Sequence, residues 1–284
     1  VQKMLDAATP DQLARIAERF KGNVLELTLH TFGCRVVQKA IQVFPRQGLD
    51  TILAELRDHV AHCVQDQNGN HVIQKAIEQM PGDTDFVIEA FLGRVPAFAT
   101  HAYGCRVIQC IFTHSPNRQD AVLAEIVQHT EALAQDQFGN YVVQHVLQSP
   151  DEKEAVAKMV LMLMPKFAQL SMHKFASNVM EKVYQRATPE QRLQVLRDLA
   201  APTNAEGKHG TGTSSALVTL MKDQFANYVI QRMIDHSTGP EKEVMVEHIK
   251  PHIPELRRVT FGKHIIGRLE RASALPAGTS TGKA

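Results

Sequence analysis

Four stretches decide how this chain folds: HTFGCRVVQK at 30–39, DQNGNHVIQK at 66–75, HAYGCRVIQC at 101–110 and DQFGNYVVQH at 136–145. Looser copies follow, HKFASNVMEK at 173–182 and DQFANYVIQR at 223–232, and a degenerate seventh, TFGKHIIGRL, lies at 260–269. Equivalent positions (Cys34, Asn70, Cys105, Asn140, Ser177, Asn227, Lys263) recur every 35 to 37 residues, except for one step of 50 from Ser177 to Asn227. A period of this size predicts an all-α solenoid in which each unit buries its apolar face against the next.

Outward from the motif, each unit is expected to hold two helices. LDTILAELRDHVAHCVQ at 49–65 illustrates the first, with Ile52, Leu53, Leu56 and Val60 at helical spacing. The second carries the motif. At 100° per residue, Val36, Val37, Ala40 and Ile41 fall on a packing arc, and Cys34, Arg35 and Gln38 on a roughly opposite, presenting arc. The long step is explained by APTNAEGKHGTGTSSA at 201–216, a Gly/Ser/Thr-rich stretch read as a mobile surface loop inserted in the array.

The opening VQK matches the end of a motif, with Gln2 placed 36 residues before Gln38, so an N-terminal portion is expected to be missing. The domain is read as 1–272: the end of one repeat, six full repeats at about 3–236 and a C-terminal cap repeat at about 237–272. Lys263, His264 and Arg268 fall on the presenting side of that cap. Residues 273–284 read as a disordered tail.

Composition bounds the function. Lys and Arg number 31 against 30 Asp and Glu, a formal charge of +1, so a partner held mainly through neutralised phosphates is not indicated. There is no basic-then-apolar signal pattern and no apolar run near the ~18 residues of a membrane span. Four cysteines (Cys34, Cys63, Cys105, Cys110) form no CxxC pair and no disulfide framework, as expected of a soluble protein in the reducing cytoplasm.

CRVVQ, NHVIQ, CRVIQ, NYVVQ, SNVME and NYVIQ resemble, in that order, the six base-reading pentapeptides of Pumilio (PUF) repeats three to eight. The resemblance covers nearly the whole chain. It implies a right-handed crescent of three-helix repeats that binds single-stranded RNA on its concave face, one base per repeat, with protein and RNA antiparallel. It further implies binding of messenger-RNA 3′-untranslated regions by a monomer, with deadenylase subunits and other regulators recruited on the convex face. No cofactor, metal or membrane is implied.

The chemistry of each pair agrees with that resemblance. Asn70/Gln74, Asn140/Gln144 and Asn227/Gln231 set two amides side by side at i, i+4, which suits the mixed acceptors and donor of a uracil edge. Ser177/Glu181 offers a carboxylate that accepts both N1–H and the amino group of guanine. Cys34/Gln38 and Cys105/Gln109 pair an amide with a small thiol and fit adenine best. Together they spell a target close to 5′-UGUAUA-3′, and Gln2 from the partial repeat would add a reader of uracil or adenine. The residue after each first reader (Arg35, His71, Arg106, Tyr141, Asn178, Tyr228) should project between bases. Five of these six are planar stackers, worth ~1–3 kcal/mol per base.

Rival readings weigh less. One repeat of this kind would be an ordinary solvated helix, but six copies whose readers vary together are not. A protein-binding armadillo or HEAT solenoid shares the period without base-edge pairs, and a nucleolar PUF-like ribosome-biogenesis factor would carry degenerate readers. His30/Cys34 and His101/Cys105 are poor zinc sites, because sister repeats put Asp and Asn there. Asp66, Asp136 and Asp223 read as helix N-caps, and no catalytic motif is present.

Overall fold

The computed structural model describes residues 1–115, 119–203 and 214–274. They are helical almost throughout and fall into two compact units, residues 1–133 with 137–145, and residues 134–136 with those from 146 onward. In the first unit three helices make each repeat: Pro10–Phe20, Val24–Leu29 and Gly33–Val43; Arg46–Arg57, Val60–Gln65 and Gly69–Gln79; Asp85–Phe91, Val95–Ala99 and Gly104–His114. Asp120–Gln128, Thr130–Gln135 and Gly139–Gln148 follow in the chain, with residues divided between the two units. The second unit continues with Lys153–Leu163, Phe167–Ser171 and Ala176–Arg186, then Pro189–Ala200, Ala216–Lys222 and Ala226–His236. It ends with Gly239–Ile249, Ile253–Leu256 and Gly262–Ala274.

The expectation of two helices per repeat is therefore corrected to three. The stretch at 49–65 breaks at Asp58 and His59, where the Leu56 carbonyl accepts His59 N at 3.0 Å and φ, ψ of −118° and 10° at His59 leave the α-helix. In two sister repeats the same corner is turned by Gly22 (φ 78°) and Gly93 (φ 73°), a left-handed geometry that glycine adopts without a Cβ penalty. A glutamate from the following repeat closes each of these corners. Glu55 accepts Gly22 N at 2.6 Å and Val24 N at 3.0 Å, and Glu125 accepts Gly93 N at 2.6 Å and Val95 N at 3.2 Å. Each carboxylate satisfies free N–H groups at a helix start and sits at the positive end of its dipole.

The core is a ladder of short side chains between repeats. In the first unit Gly33–Val43 packs on Gly69–Gln79, which packs on Gly104–His114. Val37, Val72, Ile73, Val107 and Ile108 lie fully buried there. In the second unit Ala176–Arg186, Ala226–His236 and Gly262–Ala274 stack in turn over Val179, Met180, Val229, Ile230 and Ile265. Full burial of such a side chain contributes roughly 1.5–3 kcal/mol, so the stack is held by apolar area.

The motif glycine lets the third helix lie against the second. A Cβ on Gly69 would stand 2.7 Å from the Cys63 carbonyl oxygen, which is backbone and cannot rotate away. Gly69→Ala should cost about 1–3 kcal/mol, as overpacking does, and lower the midpoint of urea unfolding. Ala176 and Ala226 hold the same place natively, so Ala176→Gly should cost less, and equal effects would contradict this account.

Two boundaries move. Ser273 and Ala274, read as the start of the tail, belong to helix Gly262–Ala274. At the insert, Pro202 pairs with Ser215 and Thr203 with Ser214 in a short antiparallel bridge. Ala216 already opens a helix whose N-terminus is capped by Ser215 Oγ, 3.4 Å from Val218 N. The interior of the insert, 204–213, and the tail from 275 lie outside the described residues. Among the described residues no helix is long and apolar enough to cross a membrane.

Candidate functional site

Five motif helices begin at a side chain that accepts two backbone N–H groups. Asp66 Oδ1 takes those of Asn68 and Gly69, both at 2.8 Å, and Asp223 Oδ1 those of Phe225 and Ala226, both at 2.8 Å. In three repeats a histidine replaces the aspartate. Nδ1 of His30 accepts from Phe32 and Gly33 (3.2 and 3.1 Å), that of His101 from Tyr103 and Gly104 (3.2 and 3.3 Å), and that of His173 from Phe175 and Ala176 (3.2 and 3.3 Å). Capping thus explains the alternation of Asp and His at the start of the motif. It also engages Nδ1 of His30 and His101 at the start of their own helices.

The first member of every pair is buried, which corrects the expectation that Cys34 and its counterparts stand on an open arc. Exposure is 1% at Cys34, 1% at Asn70, 4% at Cys105, 2% at Asn140, 6% at Ser177 and 1% at Asn227. The heads turn back onto their own helix. Asn70 Nδ2 donates to the carbonyls of Asp66 (2.8 Å) and Gln67 (3.0 Å), and Asn227 Nδ2 to those of Asp223 (2.9 Å) and Gln224 (3.0 Å). Asn140 Nδ2 donates to the Gln137 carbonyl at 3.0 Å. Cys34, Cys105 and Ser177 donate to the carbonyl three residues before, each at 3.5 Å.

With the asparagine so fixed, its Oδ1 orients the second amide. Gln74, Gln144 and Gln231 each donate Nε2 to that oxygen, at 2.9, 2.9 and 3.0 Å. Three repeats thus repeat one rigid geometry. The thiol repeats differ, since sulfur is a poor acceptor. Gln109 Nε2 donates instead to the Cys105 carbonyl at 3.1 Å, and Gln38 Nε2 is buried with no partner among the described residues.

The residues that follow the expected first readers reach the surface to different degrees. Arg35, Arg106 and Asn178 are exposed, Tyr141 and Tyr228 are each 57% exposed, and His71 is half-buried. Desolvation, with Arg35 and Arg106 on neighbouring repeats, holds His71 below the usual imidazole range. These three residues of successive repeats therefore lie close enough to influence one another. Gln2 is exposed on the first helix, Gln2–Ala7.

Two arginines escape a reading of the motif alone. Arg232 Nε lies 3.2 Å from Glu181 Oε2, and Arg268 Nε donates to Gln231 Oε1 at 3.0 Å. Each comes from the next repeat and holds the acceptor oxygen of a second reader. The signal was a basic residue just after the pair, but its target is 51 or 37 residues away in the chain. Lys263 and His264 of the cap are exposed, and Arg268 is further paired with Asp235.

Comparison with known proteins follows the same repeats. The model of the Pumilio-family RNA binding repeat matches residues 1–19, 23–57, 59–86, 94–127, 129–161, 166–200 and 217–250. A Pumilio domain-containing protein of Schizosaccharomyces pombe is 34% identical over 95% of this chain and 38% of its own length. Pumilio homolog 9 of Arabidopsis thaliana is 33% identical over 94% of this chain and 46% of its own. The chain spans less than half of either relative. Among solved structures, the Puf3 RNA binding domain bound to the Cox17 RNA 3′ UTR recognition sequence site A superposes with a TM-score of 0.80. It is 32% identical, covering 96% of this chain and 79% of that one. PUF-8 in complex with PBE-RNA gives a TM-score of 0.82 at 31% identity, covering 95% and 77%. On the repeats matched along its length and the stacked helices that carry them, this chain belongs to the Pumilio (PUF) family of RNA-binding repeat proteins.

Proposed function

We propose that this chain binds single-stranded messenger RNA at a 5′-UGUAUA-3′-like element, one base per repeat, and so regulates the message after transcription. The observation that carries the reading is the coordinated variation of the pairs. Asn always accompanies Gln in one rigid geometry, Cys accompanies Gln without it, and the one Ser accompanies the one Glu. Asn227/Gln231, Ser177/Glu181 and Asn140/Gln144 read U, G and U; Cys105/Gln109, Asn70/Gln74 and Cys34/Gln38 read A, U and A. Gln38 Nε2 can turn to adenine N1 without giving up a hydrogen bond to the protein. Arg35, His71, Arg106, Tyr141, Asn178 and Tyr228 lie between the bases, and Gln2 extends the readout by one position. The solved relatives bound to RNA, one of them to a 3′ UTR sequence, support this reading.

The setting we infer is a cytoplasmic monomer acting on 3′-untranslated regions, with repression or decay effected by deadenylase-complex subunits on the face away from the RNA. The test is binding of purified protein to an RNA containing UGUAUA and to the same RNA with UGU scrambled. Each wrong base should cost about 1–3 kcal/mol, by analogy with bidentate readout of DNA bases, and the costs will not simply add. Equal affinity for the two RNAs would end the proposal.

The insert is expected to be dispensable for that binding. Its ends are already brought together by the Pro202/Ser215 and Thr203/Ser214 pairs, so residues 204–213 can be replaced by a tight turn. Affinity for naked RNA should stay unchanged, while a regulatory protein that docks on the insert would lose its hold. A large fall in RNA affinity would mean that the insert itself contacts RNA.

A further inference from the structure

At two junctions the motif helices of neighbouring repeats are linked at their far ends by an acid–base contact. The acid stands four residues after the second reader and the base one residue after the second reader of the next repeat, as in Asp6 with Lys39 and Asp235 with Arg268. The junction between Gly69–Gln79 and Gly104–His114 departs from this. Glu78 keeps the acid place, but the base place holds Cys110, and Glu78 turns one oxygen, Oε2, to Lys75 on its own helix. One helical turn beyond Cys110, on the same face, stands His114.

We propose that Glu78, Cys110 and His114 form a binding site for a zinc ion that ties these two repeats together. Their ligand atoms all lie within 4.8 Å of one another. Zinc bonds of about 2.0–2.3 Å place tetrahedral ligand atoms about 3.3–3.8 Å apart, so small side-chain rotations close the set. Two ligands at i, i+4 on one helix form a natural chelate, as paired histidines do in zinc-binding helices. Thiolate with imidazole selects zinc over magnesium or calcium, which prefer oxygen ligands only. Glu78 would bind through Oε1 while Oε2 keeps Lys75 as its outer partner, orienting the carboxylate and moderating its charge.

Burial, with Glu78 beside it, pushes the free Cys110 thiol up to about 12. A divalent cation reverses that balance, so binding releases the thiol proton to solvent and forms the Zn–S bond. The fourth position opens to water in a groove of about 330 Å³ lined also by Gln74, Arg106, Gln109 and His145. This site lay beyond reach of the motif reading, because Glu78 and Cys110 belong to different repeats. Its function is separate from base readout: it replaces with a metal the ion pair that Lys39 and Arg268 make elsewhere.

Cobalt(II) is the probe, titrated into reduced protein and followed by the thiolate-to-cobalt charge-transfer band. One equivalent should bind, zinc should displace it, and magnesium should not. Cys110→Ser should abolish the band and Cys63→Ser, at a buried thiol outside the cluster, should keep it. Glu78→Gln and His114→Ala, at half-buried and exposed positions that leave the fold intact, should each weaken binding by at least about tenfold. Zinc should also raise the thermal midpoint of the wild type and not of Cys110→Ser. The proposal is overturned by a wild type without the band, by a band that survives Cys110→Ser, or by Glu78→Gln and His114→Ala that both bind as the wild type does.

Discussion

Replacing Ser177 with Asn and Glu181 with Gln should invert the preference at the second base of the proposed site, from UGUAUA to UUUAUA. In the proposed readout Glu181 brings a carboxylate to the base, and a carboxylate accepts both N1–H and the amino group that guanine alone presents together. The double change installs the pair found at Asn70/Gln74, Asn140/Gln144 and Asn227/Gln231. Position 177 is buried, so an added amide is tolerated only if its head can turn back, and three sister asparagines do so onto carbonyls at 2.8–3.0 Å. The neighbouring guanidinium also fits the change. Arg268 already holds Gln231 Oε1 at 3.0 Å, and Arg232 would hold the amide oxygen introduced by Glu181→Gln in the same way. A swing of about 1–3 kcal/mol in each direction corresponds to a change of about fivefold to 150-fold per RNA. Glu181→Gln alone should weaken the guanine site without creating a clean uracil site. Affinities of wild type and double variant for the two RNAs decide it, and an unchanged ratio would remove this helix from base readout.

Arg192→Ala should be among the most damaging single truncations in the second unit, with a loss of about 3–5 kcal/mol in urea unfolding. Arg192 Nε lies 2.9 Å from Glu241 Oε1, and their side chains are 16% and 4% exposed. Glu241 also accepts Thr238 N at 3.2 Å, so it cannot leave without uncapping helix Gly239–Ile249. Truncating Arg192 therefore strands a carboxylate in the interior. Beside it Tyr184, fully buried and with its hydroxyl pushed up to about 12 by that burial, hydrogen-bonds Ser237 at 2.9 Å and loses the guanidinium over its ring. Pairing Arg192→Met with Glu241→Gln should recover much of the loss, because the charge and its partner leave together. A cost below about 1 kcal/mol for Arg192→Ala would place the pair among solvated surface bridges.

The repeat was legible because copies can be compared with one another. The variation of Asn with Gln and of Ser with Glu is visible in a single chain, and so is the insert that stretches one step to 50 residues. What escaped has a common physical cause. A helical wheel of one helix cannot include its neighbour, so Cys34, Asn70 and Ser177 were set on an open face although the fold buries them. The corner at Asp58–His59 carries no Gly or Pro, although Gly22 and Gly93 mark the same corner in sister repeats. Arg232 on Glu181 and Cys110 beside Glu78 are relations between repeats, and a motif read within repeats passes over them.

The glutamates that close the corners of the preceding repeat bear on modular exchange. Glu55 belongs to one repeat by sequence, but both its oxygens serve the turn at Gly22–Val24 of the repeat before. Glu125 does the same for Gly93–Val95. The interchangeable cassette is therefore out of phase with the repeat of the sequence. A graft cut at repeat boundaries would carry a glutamate away from the corner it seals and deliver another to a corner of different shape, whereas a cassette running from one glycine corner through the next glutamate keeps every seal intact.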